Sequence, residues 1–192
     1  MGKVAKLLAD YVIQKGTVDE ADRDMYEYSF TIGIEIISFA LFCTVLAVSM
    51  HMLAEGILFF VIFFPLRSYA GGLHLERFTS CFCLSCLTYS VTLLFVKYFQ
   101  IMRILPFLCI LLSGMAVYCL YPVENKNRIV DEEEDKYFRT KLCKFLGLHL
   151  GMTVFFFVME WDKYLLEIFI IYLMVVFTMV IGKAKGAIKS TE

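Results

Sequence analysis

The sequence predicts an all-α integral membrane protein of about six transmembrane helices, with an amphipathic helix at the N-terminus and both termini cytoplasmic. Three observations lead there. First, 60% of the 192 residues are hydrophobic and the mean hydropathy is +0.73, whereas a soluble domain is about 45–50% apolar. So little polar surface cannot cover a chain of this length in water. Second, long apolar runs recur, and crossing the hydrocarbon as a helix takes about 20 residues. Third, Lys and Arg fall unevenly between the segments joining those runs, and cytoplasmic segments are the ones enriched in them.

The first element is amphipathic. Val4, Leu7, Leu8, Tyr11 and Val12 fall at helical spacing, with Lys3, Lys6, Asp10 and Gln14 elsewhere on the turn. It suits a helix lying on the inner leaflet, and equally a packing helix on the cytoplasmic face. Lys3, Lys6 and Asp10 interrupt the run, so it does not read as a signal peptide. Gly16 ends it. Thr17 to Glu27 reads as a second short helix, with Thr17 and Glu20 at capping-box spacing.

Six apolar runs follow. Phe30 to Met50 carries one charge, Glu35. Met52 to Leu66 is short and reaches Tyr69 if Arg67 snorkels. Phe78 to Val96 has no charge. Ile104 to Tyr121 holds Pro106 in its first turn, where a missing N–H costs least. Leu142 to Met159 and Tyr164 to Gly182 complete the set. The expected organisation is one membrane-embedded domain over 1–192: interfacial helices over 1–29, the bundle over 30–182, and a cytoplasmic tail over 183–192. With the termini inside, fifteen Lys and Arg fall in cytoplasmic segments against Lys97, Arg103 and Lys163 outside.

Composition excludes other classes. The net charge of −1, with no basic patch interleaved with aromatics, argues against nucleic-acid binding. Seven cysteines is an odd number, and Cys43, Cys83, Cys86, Cys109 and Cys119 sit inside apolar runs. That distribution reads as buried reduced thiols rather than a disulfide framework. Cys81, Cys83 and Cys86 form C-x-C-x-x-C. On a helix Cys83 turns about 200° from Cys81, and Cys83 with Cys86 would still lack ligands for tetrahedral zinc. No metal and no cofactor is expected.

The chemistry concentrates between Arg67 and Cys81. A glycine pair, Gly71 and Gly72, two arginines, Arg67 and Arg77, the histidine His74 and the cysteine Cys81 crowd between two apolar runs. His74 and Cys81 are seven apart, which on one helix means about 10 Å along the axis. Proton transfer needs about 3 Å. His74 must therefore lie off the helix, and the glycine pair supplies the freedom to fold it back. A helix beginning between Leu75 and Thr79 sets Cys81 near its N-terminal turns, where the dipole favours a thiolate. A neighbouring imidazole completes a nucleophile–base pair. Interfacial packing of a lone His and Cys remains the simpler reading of the spacing. Arg67 and Arg77 suit a substrate carboxylate or an oxyanion, while a Glu35–Arg67 ion pair is the structural alternative for Arg67. His149 and Lys144 read as packing and snorkelling residues, and Glu167 as water-facing. Pro122 to Arg128 reads as a turn and Asp131 to Asp135 as the start of a short loop helix.

Two stretches carry a resemblance. Arg67-x-Tyr69-Ala70-Gly71-Gly72-x-His74 followed by Cys81, and Tyr121-Pro122-Val123-Glu124-Asn125-Lys126-Asn127-Arg128 after the fourth run, resemble the AgrB family. These are accessory gene regulator B peptidases of Gram-positive quorum sensing. The likeness covers nearly the whole chain. It implies a membrane cysteine endopeptidase that removes the acidic C-terminal tail of an amphipathic propeptide, AgrD, and takes part in closing a thiolactone or lactone ring. It implies Cys81 as nucleophile and His74 as the essential histidine, carries no secure third member, and suggests a homodimer. Gly71, Gly72, Arg67 and Arg77 are then the expected substrate-binding residues, with membrane lipid and an AgrD-like propeptide as partners. A non-catalytic scaffold or exporter subunit and a thiol redox or metal-relay protein are the competing readings.

Overall fold

The computed structural model describes residues 2–16, 19–71, 78–122 and 132–189. All regular structure among them is helical. The helices are α1 Gly2–Gln14, α2 Arg23–Met50, α3 Leu53–Ala70, α4 Phe78–Tyr98, α5 Ile104–Leu120, α6 Glu132–Val158 and α7 Asp162–Lys189. Each of the six expected apolar runs is a helix. α2, α3, α6 and α7 are long and apolar enough to cross a bilayer, while Phe82–Tyr98 and Ile104–Leu120 form shorter apolar helices. Over its full range α4 has 21 residues, while α5, with 17, lies at the short end of what a bilayer requires.

The chain divides into two compact units, up to Leu46 and from Ala47 onward. In the first, α1 ends as expected. Gly16 adopts φ 69°, a conformation that suits glycine, and its N–H bonds the Ile13 carbonyl at 2.8 Å. Val4, Leu7 and Tyr11 are exposed, so the apolar face of α1 is open. The expected short helix around Thr17–Glu27 is a 3-10 turn, Glu20–Asp22, that runs straight into α2. Thr17 lies outside the described residues. Arg23 at the start of α2 pairs with Asp10 of α1, which ties the two helices.

The second unit is built around α7, which packs against α3, α4, α5 and α6. Leu165, Ile168, Ile171, Val175 and Met179 are fully buried along one face, and Leu166, Glu167 and Ile170 are buried on the other sides of the helix. α3 and α4 meet closely at Gly56. A Cβ there would sit 2.5 Å from the Tyr89 hydroxyl oxygen and 3.0 Å from the Ala47 Cβ, so any larger residue would have to displace the Tyr89 side chain. The Tyr89 ring meets Phe59 edge-on at 5.0 Å, a favourable quadrupole arrangement.

Two expectations are corrected. The acidic run does not open a separate loop helix, because Glu132 to Val158 is one continuous helix. Nothing between Glu132 and Leu146 is Gly or Pro, and Glu132 and Asp135 are followed four positions on by Lys136 and Arg139, so nothing breaks the helix there. The apolar-run cysteines are not uniformly buried either. Cys43 is buried, Cys86 and Cys109 are half-buried, and Cys83 and Cys119 are exposed. The six cysteines with described side chains form no disulfide with one another.

His149 behaves as packing. It is fully buried, with Nδ1 3.1 Å from the Tyr172 hydroxyl. Pro65 lies inside α3, and a proline withholds the N–H that would bond the carbonyl four residues back, here that of Val61. That carbonyl interacts with the His149 ring, although Nε2 makes no well-formed hydrogen bond. Large apolar side chains on the bundle surface, among them Ile57, Leu87, Leu112, Met115, Val158 and Phe177, are exposed. That belt suits hydrocarbon and would aggregate in water.

Candidate active site at the Gly71–Cys81 end

The site begins where α3 stops. Its C-cap, Gly71, has φ 79° and ψ −156°, a backbone region that L side chains rarely adopt. One turn earlier Arg67 donates from Nη1 to the Gly71 carbonyl at 3.2 Å. This satisfies a carbonyl beyond the last turn and places a cation at the negative end of the helix dipole. Gly71 and Arg67 therefore act together to turn the chain out of α3.

α4 is described from Phe78, and Leu75 to Arg77 of the window expected for its start lie outside the described residues. Cys81 stands in its first described turn. The α3–α4 contact at Phe59 and Tyr89 gives its level. Arg67 is eight residues past Phe59 and Cys81 eight residues before Tyr89, about 12 Å along each axis. Since the two helices run in opposite directions, the backbones of Arg67 and Cys81 reach the same end of the bundle. Gly72, His74 and Arg77, and the side chain of Cys81, lie outside the described residues.

Other helices close on this end. Tyr69 stacks on Phe145 of α6, with ring centroids 5.4 Å apart and planes at 19°, and meets Phe138 at 5.7 Å. The end of α3 is thereby held against α6. Tyr121, just after α5, donates from its hydroxyl to Asp135 Oδ1 at 2.9 Å, joining α5 to the first turn of α6. Arg139 donates to the Tyr118 hydroxyl at 3.1 Å and lies 5.3 Å from the centre of that ring, a cation–π contact. Lys136, Arg139, Thr140, Cys143 and Lys144 line an open groove of about 460 Å³ along one face of α6. Sequence reasoning missed this basic face, because it assigned the charged run to a loop. The three-and-four-residue spacing of the five positions was its legible signal. It also missed the Tyr69 anchor, whose trace was the one-face spacing of Phe138 and Phe145.

A multi-pass helical membrane protein in which Gly71 and Arg67 close α3 ten residues before a cysteine in the first described turn of α4 defines the class of this protein. A family model, accessory gene regulator B (AgrB), matches residues 5–181, and the chain belongs to that family. No curated protein and no solved structure matches it. Membership assigns the chain in general terms to propeptide processing in agr quorum sensing, with an AgrD-like propeptide as its substrate.

Proposed function

We propose that the chain is a cysteine endopeptidase that cleaves the acidic C-terminal tail from an AgrD-like propeptide through an acyl-enzyme on Cys81. The observation that carries this reading is the position of Cys81 in the first described turn of α4, seven residues after His74 in the sequence. Helix N-terminal N–H groups favour the thiolate. His74 takes the Cys81 proton and returns one to the leaving amine. The Cys81 sulfur attacks the scissile carbonyl, the tail departs as its free amine, and the N-terminal part stays as a thioester. A Cys or Ser side chain of the propeptide then attacks that thioester, forming the ring and releasing the Cys81 thiolate. Thioester-for-thioester exchange is close to balanced in bond energy, so no ATP is required for ring closure.

The fifteen-to-three distribution of Lys and Arg supports a cytoplasmic location for this end and for both termini. A recessed site at the membrane edge limits hydrolysis of the acyl-enzyme. It also meets an amphipathic substrate lying on the same leaflet. Gly71 and Gly72 let the substrate backbone approach, and Arg67 and Arg77 receive the acidic tail. The active unit is a single membrane-embedded peptidase domain, assembled as a homodimer.

Incubation of the reconstituted protein with its propeptide, followed by intact mass measurement, tests the reading. The expected result is a hydroxylamine-sensitive adduct on Cys81, absent from Cys81→Ala. Retention of cleavage by Cys81→Ala would leave a scaffold or exporter role. Loss of activity on replacing Cys83 and Cys86 together, with Cys81 intact, would favour a thiol relay.

A further inference from the structure

The opposite end of the same bundle holds a group that this chemistry does not use. Glu167 of α7 was expected to face water. It is 0% exposed, and neither carboxylate oxygen has a hydrogen-bond partner. Two charged residues stand near enough to act on it electrostatically, Glu55 and Lys163. Lys163 is one helical turn before Glu167 on the same face of α7. Its Nζ pairs with Oε1 of Glu55, itself only 5% exposed, from the first turn of α3. The single ammonium is thus engaged by one carboxylate, and the second has none.

An ionised carboxylate cannot be held in such surroundings without a compensating cation. The cation has a route. Lys163 is half-exposed and, with Lys97, Gln100, Asp162 and Leu166, lines a recess of about 590 Å³. The recess therefore reaches Lys163, one helical turn before Glu167. The remaining charged groups at this end are engaged elsewhere. Lys97 at the end of α4 donates to the Met50 carbonyl at 3.4 Å. Arg103 before α5 pairs with Glu160 after α6 at 2.6 Å and with Asp162 at 3.5 Å. Deeper along α7, Tyr172 is engaged by His149 of α6.

We propose that Glu167, with Glu55 and Lys163, forms a proton-exchange site at the end of the bundle away from Cys81. The ligand is a proton, taken up as the carboxylate becomes the carboxylic acid and returned through the Lys163-lined recess. The Glu55–Lys163 pair holds the neighbouring charges in balance. This assignment stands apart from the peptidase reading, since it draws on none of the residues around Cys81.

Dicyclohexylcarbodiimide tests it on the full chain in lipid nanodiscs. The reagent adds to protonated carboxyl groups in apolar surroundings, giving a stable N-acylurea with no leaving group. Peptide mass mapping should find the adduct on Glu167, falling as the buffer is made alkaline and reduced to background in Glu167→Gln. Lys163→Gln should add Glu55 as a second labelled site, since that carboxylate then loses its cation. Three outcomes overturn the proposal: no adduct on Glu167 at any pH, equal labelling of Glu55 and Glu167 in the unaltered protein, or protection by sodium but not by choline at constant pH. The last would reassign the site to a sodium ion.

Discussion

The two ends of the bundle from Ala47 onward solve opposite problems. At the Glu55 end the connections are short: His51 and Met52 join α2 to α3, Phe99 to Arg103 join α4 to α5, and Met159 to Trp161 join α6 to α7. Arg103 binds both Glu160 and Asp162, and Lys163 binds Glu55. Aromatic packing of Phe156 on Trp161, with ring centroids at 5.8 Å, seals the α6–α7 turn. At the Cys81 end the connections span 71–77 and 121–131. There the structure spends its interactions on fixing helix ends: Arg67 on Gly71, Tyr69 on Phe145, Tyr121 on Asp135. Short, ion-paired turns tie neighbouring helices together, whereas longer connections carried on anchored helix ends suit binding. The contrast teaches that one end of this molecule is built to close the bundle and the other to present chain to a partner.

The sharpest way to break that contrast is at Cys81. Cys81→Ala should reduce propeptide cleavage to background while the helical circular dichroism stays that of the unaltered protein. Retained cleavage would move the chemistry away from this end. His74→Ala should follow, with the rate falling by about 10²–10⁴, the usual contribution of a positioned acid–base group. Single-turnover kinetics would read it, and an unchanged rate would exclude His74 as the base.

Packing between the ends should matter next. Gly56→Leu drives a side chain into Tyr89 and should cost about 1–3 kcal/mol, the typical penalty of overpacking. Equilibrium unfolding in detergent would measure it, and Tyr89→Ala in the same chain should restore part of the loss. If Gly56→Leu is neutral, α3 and α4 do not approach as described.

Charge effects are smaller. Arg67→Glu should slow processing of an acidic-tailed propeptide several-fold more than that of a neutral-tailed one. Equal loss on both substrates would confine Arg67 to capping α3 through Gly71. The smallest effect belongs to the Glu55 end. The hydrogen bond from Arg103 holds the Glu160 carboxyl below its ordinary range, and the charge of Arg103 adds to it. A lowered folded-state pKa means that this pair contributes stability above the unfolded pKa and loses it as pH falls through the folded one. Both groups face solvent, so the loss should be slight. Glu160→Gln should flatten the acid limb of a thermal-denaturation series by that small amount.

Much of this was legible from residues alone. The six apolar runs, the stop at Gly16 and the place of Pro106 each follow from local rules of hydropathy, φ freedom and a missing N–H. The candidate site was legible as a motif, because glycine, arginine, histidine and cysteine have distinct chemistries wherever they stand. The continuity of α6 was hidden by its charge, since solvated helical turns and loops share a composition. The burial of Glu167 was hidden for a different reason: proximity to a helix start suggested water, but α7 is covered by four other helices.

The amino-acid sequence by itself determined the solvent, the helices and the residues able to do chemistry, because hydropathy, backbone freedom and side-chain reactivity are properties of short stretches. Only the tertiary structure decided which helix lies at the centre, which carboxylate loses its water, and which helix ends are pinned together. Those outcomes depend on what packs against each face, and residues far apart in the chain supply the answer.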